Sequence, residues 1–161
     1  MNVPVHDFCK TCATVVGDAG VMSETTLMPR LVVAGADQAI EFYRTALGAQ
    51  VLNRYAGPDG AVVHAELRVG STKLSLKDED GTDRSAATLG GSPVMFTLDV
   101  PDADAVADAM QRAGATVVFA VHDTTYGYRQ GRLTDPFGFQ WILSQSIEEL
   151  TEAQRQERIG G

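Results

Sequence analysis

The stretch Tyr126-Gly127-Tyr128-Arg129-Gln130-Gly131-Arg132-Leu133-Thr134-Asp135-Pro136-Phe137-Gly138-Phe139-Gln140-Trp141-Ile142 decides how the rest of the chain is read. Asp at the first position of a four-residue turn, Pro at the second and Gly at the fourth is the composition of a type I β-turn. Asp135 to Gly138 is therefore expected to close a tight hairpin. After it, Gln140, Ile142 and Ser144 alternate with Trp141 and Leu143, so the following strand has two chemically different faces.

Working outward, the same order of elements occurs twice. Residues 27–33 (LMPRLVV) read as a strand. Residues 37–47 (DQAIEFYRTAL) read as a helix with one apolar side, ended by Gly48. Strands are expected at 49–55, 61–69 and 73–76, with turns at Pro58-Asp59-Gly60 and Gly70-Ser71. In the second half, 94–100 (VMFTLDV) is a strand and 102–113 a helix stopped by Gly114; strands follow at 116–120, 131–133 and 139–144. Met28 and Met95 lie 67 residues apart, as do Ser75 and Ile142, and Gly48 and Gly114 lie 66 apart. This is the signature of a duplicated βαβββ unit. The expected organisation is a disordered N-terminal extension (1–21) and one domain (22–150), followed by a C-terminal helix and tail (146–161). The domain consists of module 1 (about 25–77), a polar Gly-rich linker (78–93) and module 2 (about 94–145). Ser146 and Glu149 have capping-box spacing for that last helix.

Composition sets limits on function. Of 161 residues, 44% are hydrophobic and 21% charged, which fits a soluble globular chain. No run approaches the roughly 18 apolar residues of a membrane span, and no secretory leader is evident, so the cytoplasm is the expected compartment. The formal net charge of −8 argues against nucleic acid and anionic membranes as partners; it would attract a cationic small molecule. Cys9 and Cys12 form a C-x-x-C after His6. They lack the further ligands of a zinc site and the βαβ context of a redox pair, and their role stays open.

Four features together, the twofold βαβββ order, Ile40-Glu41-Phe42-Tyr43, His64-Ala65-Glu66-Leu67 and the Asp135-Pro136-Phe137-Gly138 turn, resemble the PhnB-like, glyoxalase/bleomycin-resistance branch of the vicinal-oxygen-chelate superfamily, over about residues 25–150. The resemblance implies an α+β fold in which two tandem modules form a curved mixed sheet around a cavity, commonly in a homodimer. It also implies a metal site built from His, Gln or Glu on the first and last strand of each module. Carried onto this chain, those positions are Met28, Ser75, Met95 and Ile142. None supplies the carboxylate or imidazole that hard and borderline divalent metals require, and a shift of one residue offers nothing better. No cofactor is therefore expected, although a rearranged divalent-metal site using His64 or Glu66 stays open.

Strand alternation then sorts the cavity candidates. With Met28 facing in, Arg30 and Val32 follow it; with Met95 go Thr97 and Asp99; with Ile142 go Gln140 and Ser144. Either His64, Glu66 and Arg68 or their alternates face the same space. His64 and Glu66 are candidate acid/base residues, two apart on one strand face. Tyr126, Tyr128 and Arg129 are read as a Gly-flanked loop over the cavity mouth, the rings stacking on a ligand and Arg129 reaching an anionic group. Two functions compete. One is a metal-free binding protein of the bleomycin-resistance kind, sequestering a hydrophobic or cationic compound as a homodimer. The other is a glyoxalase-like lyase or isomerase, or a dioxygenase, with the metal site rearranged or absent.

Overall fold

The structure, a computed structural model, describes residues 26–160. The expectations for residues 1–21, Cys9 and Cys12 lie outside the described residues.

Among the described residues, eight strands and four helices follow one another in the expected duplicated order. Module 1 comprises β1 (Arg30–Val33), α1 (Ala36–Leu47), β2 (Gln50–Ala56), β3 (Val62–Val69) and β4 (Thr72–Asp78). A short α2 (Ala86–Leu89) interrupts the linker. Module 2 comprises β5 (Met95–Asp99), α3 (Ala103–Arg112), β6 (Thr116–Asp123), β7 (Tyr128–Thr134) and β8 (Gln140–Ser146), and α4 (Glu152–Gly160) closes the chain. The strands form two four-stranded mixed sheets, ordered β1-β4-β3-β2 and β5-β8-β7-β6. In each, the first and last strands of the module pair in parallel and the other pairs are antiparallel.

The repeat extends to the polar groups that start the helices. A helix begins with unsatisfied N–H groups that need acceptors. Asp78 Oδ1 accepts the N–H groups of Gly35 (3.1 Å) and Ala36 (2.7 Å) at the head of α1. Sixty-seven residues later, Gln145 Oε1 accepts the Ala103 N–H at the head of α3 (3.0 Å), where Asp102 also caps Ala105. The last strand of each module thus fixes the first turn of its own helix.

The core lies between the helices and the sheets, and α1 packs on α3. Leu31, Val33, Ala65, Leu67, Leu74 and Leu76 point into it from the first sheet, Leu133, Trp141 and Leu143 from the second. The Asp135–Gly138 turn sits at the centre. Gly138 N–H donates to the Asp135 carbonyl (3.2 Å), as a type I turn requires. The Asp135 side chain, 4% exposed, accepts four hydrogen bonds. Phe137 and Phe139 N–H donate to Oδ1 (both 2.9 Å), while the Tyr43 hydroxyl (2.7 Å) and Trp141 Nε1–H (2.9 Å) donate to Oδ2. Since Tyr43 is on α1, this buried carboxylate ties the two modules together. Burial, and the Asp135 charge beside it, push the Tyr43 hydroxyl well above the usual tyrosine range.

The elements differ from the sequence reading mainly at their ends. The strand expected at 131–133 runs from Tyr128 to Thr134, and the one expected at 116–120 extends to Asp123. The last helix starts at Glu152 rather than near Ser146, because the capping box is Thr151 with Gln154: Thr151 N–H donates to Gln154 Oε1 (2.9 Å) and Gln154 N–H to Thr151 Oγ1 (3.3 Å).

Candidate functional site

Each sheet has one face on its helix and one face turned away. Strand registers align the residues of the outward faces into rows. Across the first sheet, one row reads Arg30, Ser75, Glu66, Asn53; another includes Tyr55 paired with His64. Across the second sheet, the corresponding row reads Thr97, Ile142, Arg132, Phe119, flanked on one side by Asp99, Ser144, Gln130, His122 and on the other by Met95, Gln140, Thr134, Thr116. Arg132 thus stands in module 2 where Glu66 stands in module 1, and Ile142 where Ser75 stands.

In module 1 the ambiguity of the His64 strand resolves: Ala65 and Leu67 are core, so His64, Glu66 and Arg68 lie on the outward face. A bulge near Val63 restores this phase after the Val62 end of the strand. His64 Nε2 lies 3.4 Å from Glu66 Oε1, both half-buried, and the Tyr55 ring stacks on the imidazole at 6.2 Å. Arg30 donates to the Val63 carbonyl (3.0 Å). Ser75 is 2% exposed, and its hydroxyl donates weakly to the Pro29 carbonyl (3.4 Å). Lys77 is held by Asp80 (2.5 Å) and Asp83 (2.9 Å), hydrogen bonds that raise its ammonium above the usual lysine range. Met28 precedes β1 and is exposed.

In module 2, Met95, Thr97, Gln140 and Ile142 share the outward face, as alternation requires. Tyr126, Tyr128 and Arg129 do not form the expected ligand-covering loop. Tyr128 and Arg129 belong to β7, and the turn closes earlier, with Thr124 N–H donating to the Tyr128 carbonyl (2.7 Å). Arg129 points to the helix side, because it is out of phase with Arg132. There its guanidinium is held by Asp104 (2.6 and 3.0 Å) and Asp123 (2.6 Å), and it raises no arm toward the outward face. The Tyr126 hydroxyl donates to Gln130 Oε1 (2.8 Å), and Gln130 Nε2 donates to Ser144 Oγ (3.2 Å). Arg155 of α4 lies over the Tyr128 ring at 5.0 Å, and Arg158 ties α4 back to Glu148 and Thr125. Tyr126 is thereby engaged by β7 and the Tyr128 ring by α4, while Tyr128 also borders a pocket with Asp99, Val100, Ser144 and Ser146.

The residue that sequence reasoning missed is Arg132. It borders a pocket of about 190 Å³ with Phe119, His122, Gln130, Gly131 and Ile142. The hairpin register would have found it: with Thr134 paired to Gln140 across the turn, Arg132 falls opposite Ile142. Gly131 is required beside it, because a Cβ there would come within 3.1 Å of the Val121 backbone.

A divalent metal does not fit the side chains on these faces. Met28 and Met95 offer thioethers, Ser75 a buried hydroxyl and Ile142 an alkyl chain. Among the described residues, no three His, Cys, Asp or Glu side chains converge.

A family model described as the Glyoxalase/Bleomycin resistance protein/Dioxygenase superfamily matches residues 25–143. The chain belongs to that superfamily. An uncharacterised Mycobacterium tuberculosis protein is 42% identical over 132 residues, covering 79% of this chain and 78% of the relative. An Arabidopsis thaliana gene product of known structure is 29% identical, with a TM-score of 0.61 over 74% of this chain and 98% of its own. TioX from Micromonospora, at 21% identity, and the fosfomycin resistance protein FosX from Listeria monocytogenes, at 9%, share the fold. Their TM-scores are 0.59 and 0.63, over 79% and 83% of this chain and 100% and 99% of theirs.

Proposed function

We propose that the protein is a small-molecule-binding member of the superfamily that works without a metal, taking an apolar ligand against its outward sheet faces within a homodimer. The observation that carries this reading is the second sheet's outward face. Where a metal enzyme would need carboxylates and imidazoles, it has Met95, Ile142, Phe119 and a pocket, the mostly apolar lining with a few polar groups that small-molecule sites favour. Phe119 is 56% exposed, Tyr55 59% and Met95 47% in the single chain. A second copy covering these faces would remove that surface from water. Binding would act by mass action, stabilising the ligand-bound chain in proportion to the logarithm of ligand concentration over Kd.

The test has two parts. Elemental analysis of protein grown with zinc, nickel, manganese and iron available should find far less than one metal per chain, with none taken up on re-addition. A ligand panel should include members that raise the melting temperature. One tightly held metal per chain, or a panel without a single binder, would overturn the proposal.

One observation favours an enzymatic alternative. His64 and Glu66 lie at hydrogen-bonding reach on an outward face beside Arg30, the arrangement of an acid/base pair with a cation for developing negative charge. A lyase or isomerase activity lost in His64→Ala, in a variant that still folds, would establish it.

A further inference from the structure

We infer that the pocket around Arg132 is a carboxylate-recognition site, and that the ligand it takes is a monoanionic organic acid with a single ring or short branched body. The inference rests on the small-molecule-binding reading above and specifies its chemistry.

Arg44, Arg54, Arg129 and Arg158 each hold a carboxylate at 2.6–2.7 Å. Among the described residues Arg132 holds none, and neither do Arg30, Arg68, Arg84, Arg112 and Arg155; of these six, only Arg132 borders the pocket beside Phe119 and Ile142. Its Nη1 meets only the Met95 sulfur at 3.1 Å, and a thioether is a weak acceptor. Its Nε is buried without a hydrogen-bond partner. Its guanidinium carbon lies 4.6 Å from the Phe119 ring centroid, within cation–π range. With Nε sealed off, the terminal Nη groups are the donors left to meet a carboxylate. Asp99, the carboxylate of the neighbouring row, stands on β5 at that row's opposite edge.

The rest of the pocket sets the body of the ligand. Phe119 and Ile142 are apolar, and His122 and Gln130 add polar edges to the lining. A cavity of about 150 Å³ suffices for benzene, so about 190 Å³ admits one ring. The single guanidinium matches one negative charge. Salt screens exposed charges over about 8 Å at physiological ionic strength, and the charged side chain lining this pocket is the Arg132 cation.

Benzoate, benzamide and benzamidine have the same shape and carry one negative, no and one positive charge. Titrated into the full-length protein by calorimetry or ligand-observed NMR, benzoate should bind about tenfold or more tightly than benzamide, with benzamidine weakest. Arg132→Gln should bring benzoate down to the level of benzamide. Ile142→Asp, which sets a carboxylate beside the guanidinium, should do the same and serves if the first variant lacks a cooperative melt. Equal affinities across the series, or an acid preference that survives in either folded variant, would overturn the inference while leaving small-molecule binding intact. If these probes and the wider panel all fail to bind, both readings fall.

Discussion

At the scale of single residues, Asp135 is the most exacting position in the fold. Its carboxylate satisfies two backbone N–H groups and two side-chain donors in a buried setting. Buried donors left without an acceptor cost about 1–3 kcal/mol each. Asp135→Ala is therefore expected to destabilise the protein by about 3 kcal/mol or more, and to change the emission of Trp141. An equilibrium denaturant titration checks both. Tyr43→Phe removes one donor and leaves the carboxylate three, so its loss should be nearer 1 kcal/mol. The same pair sets an alkaline limit. The folded Tyr43 ionises above the usual range, so above about pH 10 the unfolded chain loses a proton that the folded chain keeps. Stability should be fully present below that pH and fall as pH rises through it; Tyr43→Phe should flatten the decline in a pH series of melting temperatures. The sequence revealed the turn around Asp135 because local turn chemistry needs only four residues. It did not reveal that Tyr43 reaches it, since that contact spans ninety-two positions.

At the scale of elements, helices and turns were readable and strand ends were not. Both long helices announced themselves through apolar spacing and glycines, and the structure places them within a residue of expectation. β7 was read as three residues because Gly127 and Gly131 look like loop punctuation. Gly131, expected as the first residue of that strand, lies inside it, and its missing side chain admits the Val121 backbone, a tertiary demand with no local trace. That shortening left Arg129 in a loop and lent it a role on the wrong face, while Arg132, inside the expected strand, was given no partner in register. Gly138 shows the opposite case, a glycine whose reason is partly local. Its φ of +93° suits no other residue well, and a Cβ would also come within 3.1 Å of the Ala87 nitrogen. Gly138→Ala should cost about 1–3 kcal/mol, read as a drop in melting temperature of roughly 5 °C.

At the scale of the whole molecule, the duplication was plain in the spacing of methionines, serine and isoleucine, and the two sheets follow it row for row. What the spacing could not show is that the two outward faces have diverged in charge, with Glu66 on one and Arg132 at the matching position of the other. Among the described residues, no helix is long and apolar enough to cross a membrane. With aromatic and aliphatic side chains exposed on both sheets, sedimentation of the full chain at micromolar concentration is expected to show a dimer; a monomer would count against the homodimer part of the proposal.

The latch between the modules works in one direction only. Module 1 supplies Tyr43, and module 2 supplies the carboxylate turn. The position matching Tyr43 in the second half is Met110, and the turn matching Asp135–Gly138 in the first half is only Gly70-Ser71. The two halves are thereby no longer interchangeable. A chain rebuilt from two first halves would carry a hydroxyl with nothing to hold, and one rebuilt from two second halves a carboxylate with an unfilled seat. The two halves began as copies and now depend on each other as lock and key.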